Sequence, residues 1–153
     1  MNRIGKDEYY LSIAESVSQR STCLRRRYGA IIVNNDEIIA TGYNGAPRGE
    51  MNCIDCGYCE REDKNVPSGE RYEICRACHA EQNAVISAAR KDMIGGTIYI
   101  VGIEAKTGGY ANPTPCLLCR RFIVNAGIVR CVGLVDGKPK DISLREVPRP
   151  AGK

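Results

Sequence analysis

The chain has 153 residues, of which 43% are hydrophobic and 26% charged, with a net charge of +4. That length buries a core without disulfide staples, and no run is apolar enough to cross a membrane. The charge is too small to argue for nucleic acid by itself, so neither a membrane nor a nucleic-acid partner is expected. The N-terminal stretch "MNRIGKDEYYLSIAESVSQRS" lacks the apolar segment of a signal peptide, which points to the cytoplasm. In that reducing compartment nine cysteines read as metal ligands, catalytic groups or small core residues rather than disulfides.

In chain order, Tyr10, Ile13, Ala14 and Val17 fall at helical spacing and predict a helix over 7–20. The two β-rich runs of "YGAIIVNNDEIIATGYNG" joined by "NNDE" predict a hairpin, 28–34 and 37–42. Residues 43–78 are rich in Gly, Pro, Asn and Cys and show no period. A loop this long does not float free in a compact domain, and this one carries five cysteines. "HAEQNAVISAARKD" predicts a helix over 79–92, with Ala84, Val85, Ala88 and Ala89 on one face. "GTIYIVGI" and "IVRCVGLVD" read as buried strands, and Cys131 inside the second as core. Between them "TPCLLCRRFIVNAG" opens on Pro, a favoured first-turn residue, and stops on Gly. The tail adds a short edge strand near 142–147 and then frays. The order α-ββ-α-β-α-β implies one domain, 1–153, in which helices cover a mixed sheet: an antiparallel first hairpin, then later strands run parallel through right-handed crossovers.

Two elements carry chemistry. "HAE" contains the only histidine, His79, and "PCLLC" contains Cys116 and Cys119, which share a face of the first helical turn. One nitrogen and two sulfurs leave a fourth tetrahedral position free, the composition of a catalytic zinc site. Helix starts are electropositive and favour thiolate over thiol. Glu81, two residues from His79, reaches the same site only if that helix start aims into a cleft. For the remaining cysteines two readings compete. The spacing Cys56-x2-Cys59-x15-Cys75-x2-Cys78 fits a zinc ribbon, and small buried core residues are the other possibility.

H-x-E followed by P-C-x-x-C is the signature of zinc nucleobase deaminases. From "STCLRRRYGAIIV" through "ATGYNGAPRG" and "CHAEQNA" to "PCLLCRRFIVNAGI" the chain resembles the deoxycytidylate (dCMP) deaminases of the cytidine deaminase-like superfamily. The resemblance implies a three-layer α-β-α fold and zinc-dependent deamination of dCMP to dUMP. It implies His79, Cys116 and Cys119 as ligands of a catalytic Zn²⁺ and Glu81 as proton shuttle. It places Asn44 at the sugar, Ala80 against the pyrimidine through its backbone, and Arg90 near the mouth of the site. Asn44 equally suits a turn between two glycines. Arg27 in "LRRR" and Arg48 are candidates for a substrate phosphate, against the plainer reading of an exposed charge run. Phage-type relatives hold a second, structural zinc with cysteines at the positions of Cys23 and Cys53. Here Cys59 and Cys75 would stand in for the relatives' histidines. A homo-oligomer, a hexamer above others, and dCTP/dTTP effectors also follow from the resemblance alone. Deamination of another base or nucleoside, or a non-enzymatic zinc-ribbon module, are the competing functions.

Overall fold

The computed structural model describes residues 2–146. Its frame is one sheet in the order β2-β1-β3-β5-β6. The strands are β1 Arg26–Asn34, β2 Glu37–Tyr43, β3 Thr97–Glu104, β5 Arg130–Val135 and β6 Lys138–Ile142, with a two-residue β4, Tyr110–Ala111, on β3. The helices are α1 Lys6–Ser18, α2 Cys53–Cys56, α3 Glu60–Asp63, α4 Ala80–Ile86, α5 Arg90–Met93 and α6 Leu117–Asn125. β1 and β2 are antiparallel, and β3 and β5 are parallel across the α6 crossover.

Strand periodicity builds three layers, because successive side chains face opposite sides of a sheet. Ile31 and Val33 of β1 join Tyr99 and Val101 of β3 beneath Leu11 and Ala14 of α1. Ala30, Ile32, Ile98 and Ile100 face the other way, onto Ala80 and Ala84 of α4 and Ile123 of α6. Cys131 is buried in this second cluster, as its place in a strand implies. Two glycines set the helix-to-sheet distance. A Cβ on Gly29 would strike the backbone of Ala14 and Ser18 in α1, and one on Gly42 would strike Ala80 and Ala84 in α4. Gly42 thereby fixes the start of α4, where His79 stands.

Three expectations are corrected. The helix over 79–92 is broken: Ser87 caps α4, its hydroxyl donating to the Asn83 carbonyl at 2.8 Å, and Ala89 is extended. The second piece, α5, is held elsewhere, by Asn34 Nδ2 on the carbonyls of Asp92 and Ile94. The last strand is β6, Lys138–Ile142, not a strand near 142–147. Asp136 and Gly137 both take positive φ, 50° and 76°, the form that a tight hairpin requires, so β6 returns antiparallel to β5 rather than parallel. Residues 143–146 lie outside any strand, and the tail beyond them is outside the described residues. Third, Pro115 lies before α6, and Cys116 rather than Pro115 takes the capping position.

The first hairpin matches its prediction, with Asn35 and Asp36 forming the turn at φ 51° and 62°. The long segment after β2 folds into α2, α3 and a single 3₁₀ turn, Tyr72–Ile74. Its two ends are stitched by a backbone bridge, Cys78 N–H to Gly45 O at 2.8 Å and Gly45 N–H to Cys78 O at 3.2 Å.

Candidate metal centre and active site

His79 caps the N-terminus of α4 and Cys116 that of α6, so two helix starts converge on one point. The His79 backbone N–H is held by Gln82 Oε1 at 2.8 Å, which fixes the entry of the chain into α4. Cys116 Sγ accepts the Cys119 backbone N–H at 3.5 Å. His79 Nδ1 lies 3.3 Å from Cys119 Sγ and 3.7 Å from Cys116 Sγ. Tetrahedral zinc, with bonds of about 2.0–2.1 Å to nitrogen and about 2.3 Å to sulfur, sets its ligand atoms roughly 3.6 Å apart. The observed distances bracket that spacing, so these residues fit Zn²⁺.

Glu81 belongs to the same helix start and is 6% exposed, at the floor of a cleft shared with His79, Ala80 and Cys116. Burial pushes its carboxyl above the usual range. A carboxyl raised in this direction holds a proton more tightly than an exposed one, the direction in which a general acid–base group is tuned. The hydrogen bond from Cys119 brings Cys116 down to about 4, with His79 adding to the effect. The same contact pushes Cys119 up, with burial second. Without metal the pair therefore carries one thiolate and one thiol, and metal binding displaces the remaining proton.

Tyr28, Asn44, Tyr72, Pro113 and Thr114 contribute to the cleft walls. Tyr72 meets His79 edge-on, ring centroids 5.1 Å apart at 87°. Asn44 is buried with its side chain braced on β1: Nδ2 donates to Arg26 O, and Oδ1 accepts from Tyr28 N–H, both at 2.9 Å. Ala80 is fully buried on the cleft. Arg27, Arg48 and Arg90 are exposed and do not line it, and Arg90 donates instead to the Asn125 carbonyl at 2.9 Å. The arginines that do line it are Arg25, Arg26 and Arg61. Strand alternation was the available signal for Arg26 over Arg27, since only one of two neighbours in β1 can face α4.

Cys23, Cys59 and Cys75 also border this cleft. Burial raises the Cys53 thiol, and the neighbouring sulfurs of Cys23, Cys75, Cys59 and Cys56 raise it further. Cys23 Sγ accepts the Arg25 backbone N–H at 3.4 Å. Among the described residues, only His79, Cys116 and Cys119 form a set of three or more ligand atoms all within 4.8 Å of one another. The insert cysteines gather without closing to that spacing.

A buried carboxylate beside a His-Cys-Cys triangle, both at helix starts under a mixed sheet, defines a zinc-dependent hydrolytic deaminase of the α-β-α class. Residues 4–135 match the model of the cytidine and deoxycytidylate deaminase zinc-binding region, and the chain belongs to that family. It is 38% identical over 136 residues to the deoxycytidylate deaminase of Mycobacterium phage D29, covering 86% of this chain and 96% of that one. It is 35% identical over 126 residues to the Schizosaccharomyces pombe deoxycytidylate deaminase, covering 82% of this chain but 36% of the yeast protein. Among solved structures, the dCMP deaminase of cyanophage S-TIM5 in complex with dCMP and dUMP superposes with a TM-score of 0.59 at 30% identity, over 86% of this chain and 83% of that one.

Proposed function

We infer that the protein hydrolyses dCMP to dUMP and ammonia. The observation that carries this reading is the buried Glu81 carboxyl beside the His79–Cys116–Cys119 triangle. The choice of substrate is supported by the phage relatives, whose lengths this chain nearly spans.

Zinc bound by these three side chains supplies Lewis acidity that makes water a nucleophile near neutral pH. The chain's own residues do the rest. Glu81 takes a proton from the attacking water and delivers it to ring N3 as oxygen adds to C4. It then moves the proton of the new hydroxyl to the 4-amino nitrogen, and ammonia leaves with the C–N electron pair. One carboxylate serves both transfers because burial has already raised its affinity for a proton. Ala80, fully buried at the first position of α4, offers its backbone to the pyrimidine. Asn44, on the cleft wall, is the residue proposed to border the sugar.

We further read residues 1–153 as one deaminase domain with a Cys-rich insert at about 43–78. We propose a second, structural zinc on Cys23, Cys53, Cys59 and Cys75, supported by the mutual influence of these sulfurs. A homo-oligomer is supported by the outer face of α6, where Leu117, Leu118 and Phe122 are each about half exposed, and the hexamer is proposed on the resemblance alone. Control by dCTP and dTTP is proposed on the resemblance alone. Among the described residues, no helix is long and apolar enough to cross a membrane.

The test is a panel of 4-amino pyrimidines and adenosine assayed for ammonia release by the zinc-loaded protein. Turnover of dCMP with kcat/KM well above deoxycytidine and cytosine supports the reading. Equal efficiency on nucleoside and nucleotide assigns it instead to a nucleoside deaminase.

A further inference from the structure

Arg61 lies in α3, at the heart of the insert, and is 7% exposed. Its Nη2 donates to the carbonyls of Pro67 at 2.8 Å and Glu70 at 3.0 Å. Its guanidinium stacks 4.7 Å over the ring of Tyr72, whose edge rests on His79. Its Nε is buried with no hydrogen-bond partner.

Arg25 and Arg26 border the same cleft, but each already faces a carboxylate, Glu62 at 3.1 Å and Glu104 at 3.0 Å. Arg61 forms no ion pair among the described residues. A buried charge without a counter-ion is costly and persists where an anion arrives to meet it. Tyr72 links the two groups: the guanidinium lies 4.7 Å over its ring, and the same ring meets His79 edge-on with centroids 5.1 Å apart. Backbone carbonyls and the aromatic face hold the planar fork still before any ligand binds, which lowers the ordering needed on binding.

We propose that Arg61, delivered by the Cys-rich insert, is the side chain that recognises the substrate's 5′-phosphate and so sets preference for nucleotide over nucleoside. This rests on the dCMP reading above. The insert thereby becomes part of the substrate site. The other anion within reach would be the zinc-bound thiolates of the proposed structural site, of which Cys23, Cys59 and Cys75 border the same cleft. The experiment separates the two.

Arg61→Gln and Arg61→Lys are assayed against dCMP and deoxycytidine, with zinc per chain measured on each variant. The expected result is that the ratio of the two kcat/KM values falls about 10- to 100-fold in Arg61→Gln, the worth of a charge-assisted hydrogen bond, and less in Arg61→Lys. Zinc content stays at the wild-type level. Equal losses on both substrates, loss of a zinc, or a chain that fails to fold with lysine in place would make Arg61 a brace of the insert and overturn the proposal. If wild-type protein shows no preference for dCMP, it is the underlying reading that fails. If wild type prefers dCMP and both variants keep that preference, only the role of Arg61 falls.

Discussion

The catalytic corner and the Cys-rich insert both gather cysteines, but the fold treats them differently. His79, Cys116 and Cys119 sit at the starts of helices clamped to the sheet, and their ligand atoms stand at metal spacing. Cys53 and Cys59 sit at the edges of one-turn helices that bury little, and their sulfurs approach without closing. The first site is preorganised by the core. The second has side-chain pairs such as Arg25–Glu62 and Arg76–Glu60 and one backbone bridge, and the structural zinc proposed there would complete it. Metal at the first corner thus enables chemistry, whereas the zinc proposed at the second would contribute folding energy.

The harshest way to break this contrast is Cys119→Ser. It should remove the catalytic zinc, abolish dUMP formation and leave the melting temperature of the sheet little changed, checked by metal analysis, product assay and calorimetry. Next, Glu81→Gln should retain zinc and fold while kcat falls about 10²- to 10⁴-fold, the usual worth of a positioned acid–base group. Loss of metal in that variant would mean Glu81 is a ligand, not a shuttle. Gly42→Ala attacks the clamp itself. The added Cβ would meet the backbone of Ala80 and Ala84, so α4 must shift and carry His79 with it. An overpacking loss of about 1–3 kcal/mol is expected from denaturant titration, together with weaker zinc retention. Cys53→Ser should remove the other zinc and lower the melting temperature by roughly 5–10 °C, while residual enzyme still turns over. Cys56→Ser and Cys78→Ser should leave both metals in place. If they instead remove the second zinc, the ribbon spacing names the true ligands.

The smallest effect is on pH dependence. Burial raises the Glu81 carboxyl, so the native chain keeps that proton after the unfolded chain has lost it. Its contribution to stability is therefore present below the ordinary carboxyl range and falls as pH rises through and above it. In chelated protein, wild type should lose stability relative to Glu81→Gln as pH rises above the ordinary carboxyl range. Parallel stability curves for the two would contradict the burial argument.

What was legible in the sequence was local. β-rich and apolar runs wrote β1, β2 and β3, and Asn35-Asp36 wrote the turn between β1 and β2. H-x-E and P-C-x-x-C wrote the metal corner, because helix starts bring short spacings to one point. What stayed hidden depended on distant contacts. The break at Ser87 follows from Asn34 seizing α5 from another strand. β6 is charged and carries Pro139, so no hydrophobic pattern announces it; the Asp136-Gly137 turn was its signal. The cleft arginines could not be chosen from "LRRR" without the parity of β1, and Arg61 lies in a segment with no period at all.

The most direct test of the central claim is a zinc titration of metal-free Cys53→Ser, following dUMP formed from dCMP. With only the His79–Cys116–Cys119 corner left to fill, the rate should rise in proportion to added zinc and level off at one ion per chain. Turnover in the absence of zinc, or none after one full equivalent is bound, would contradict it.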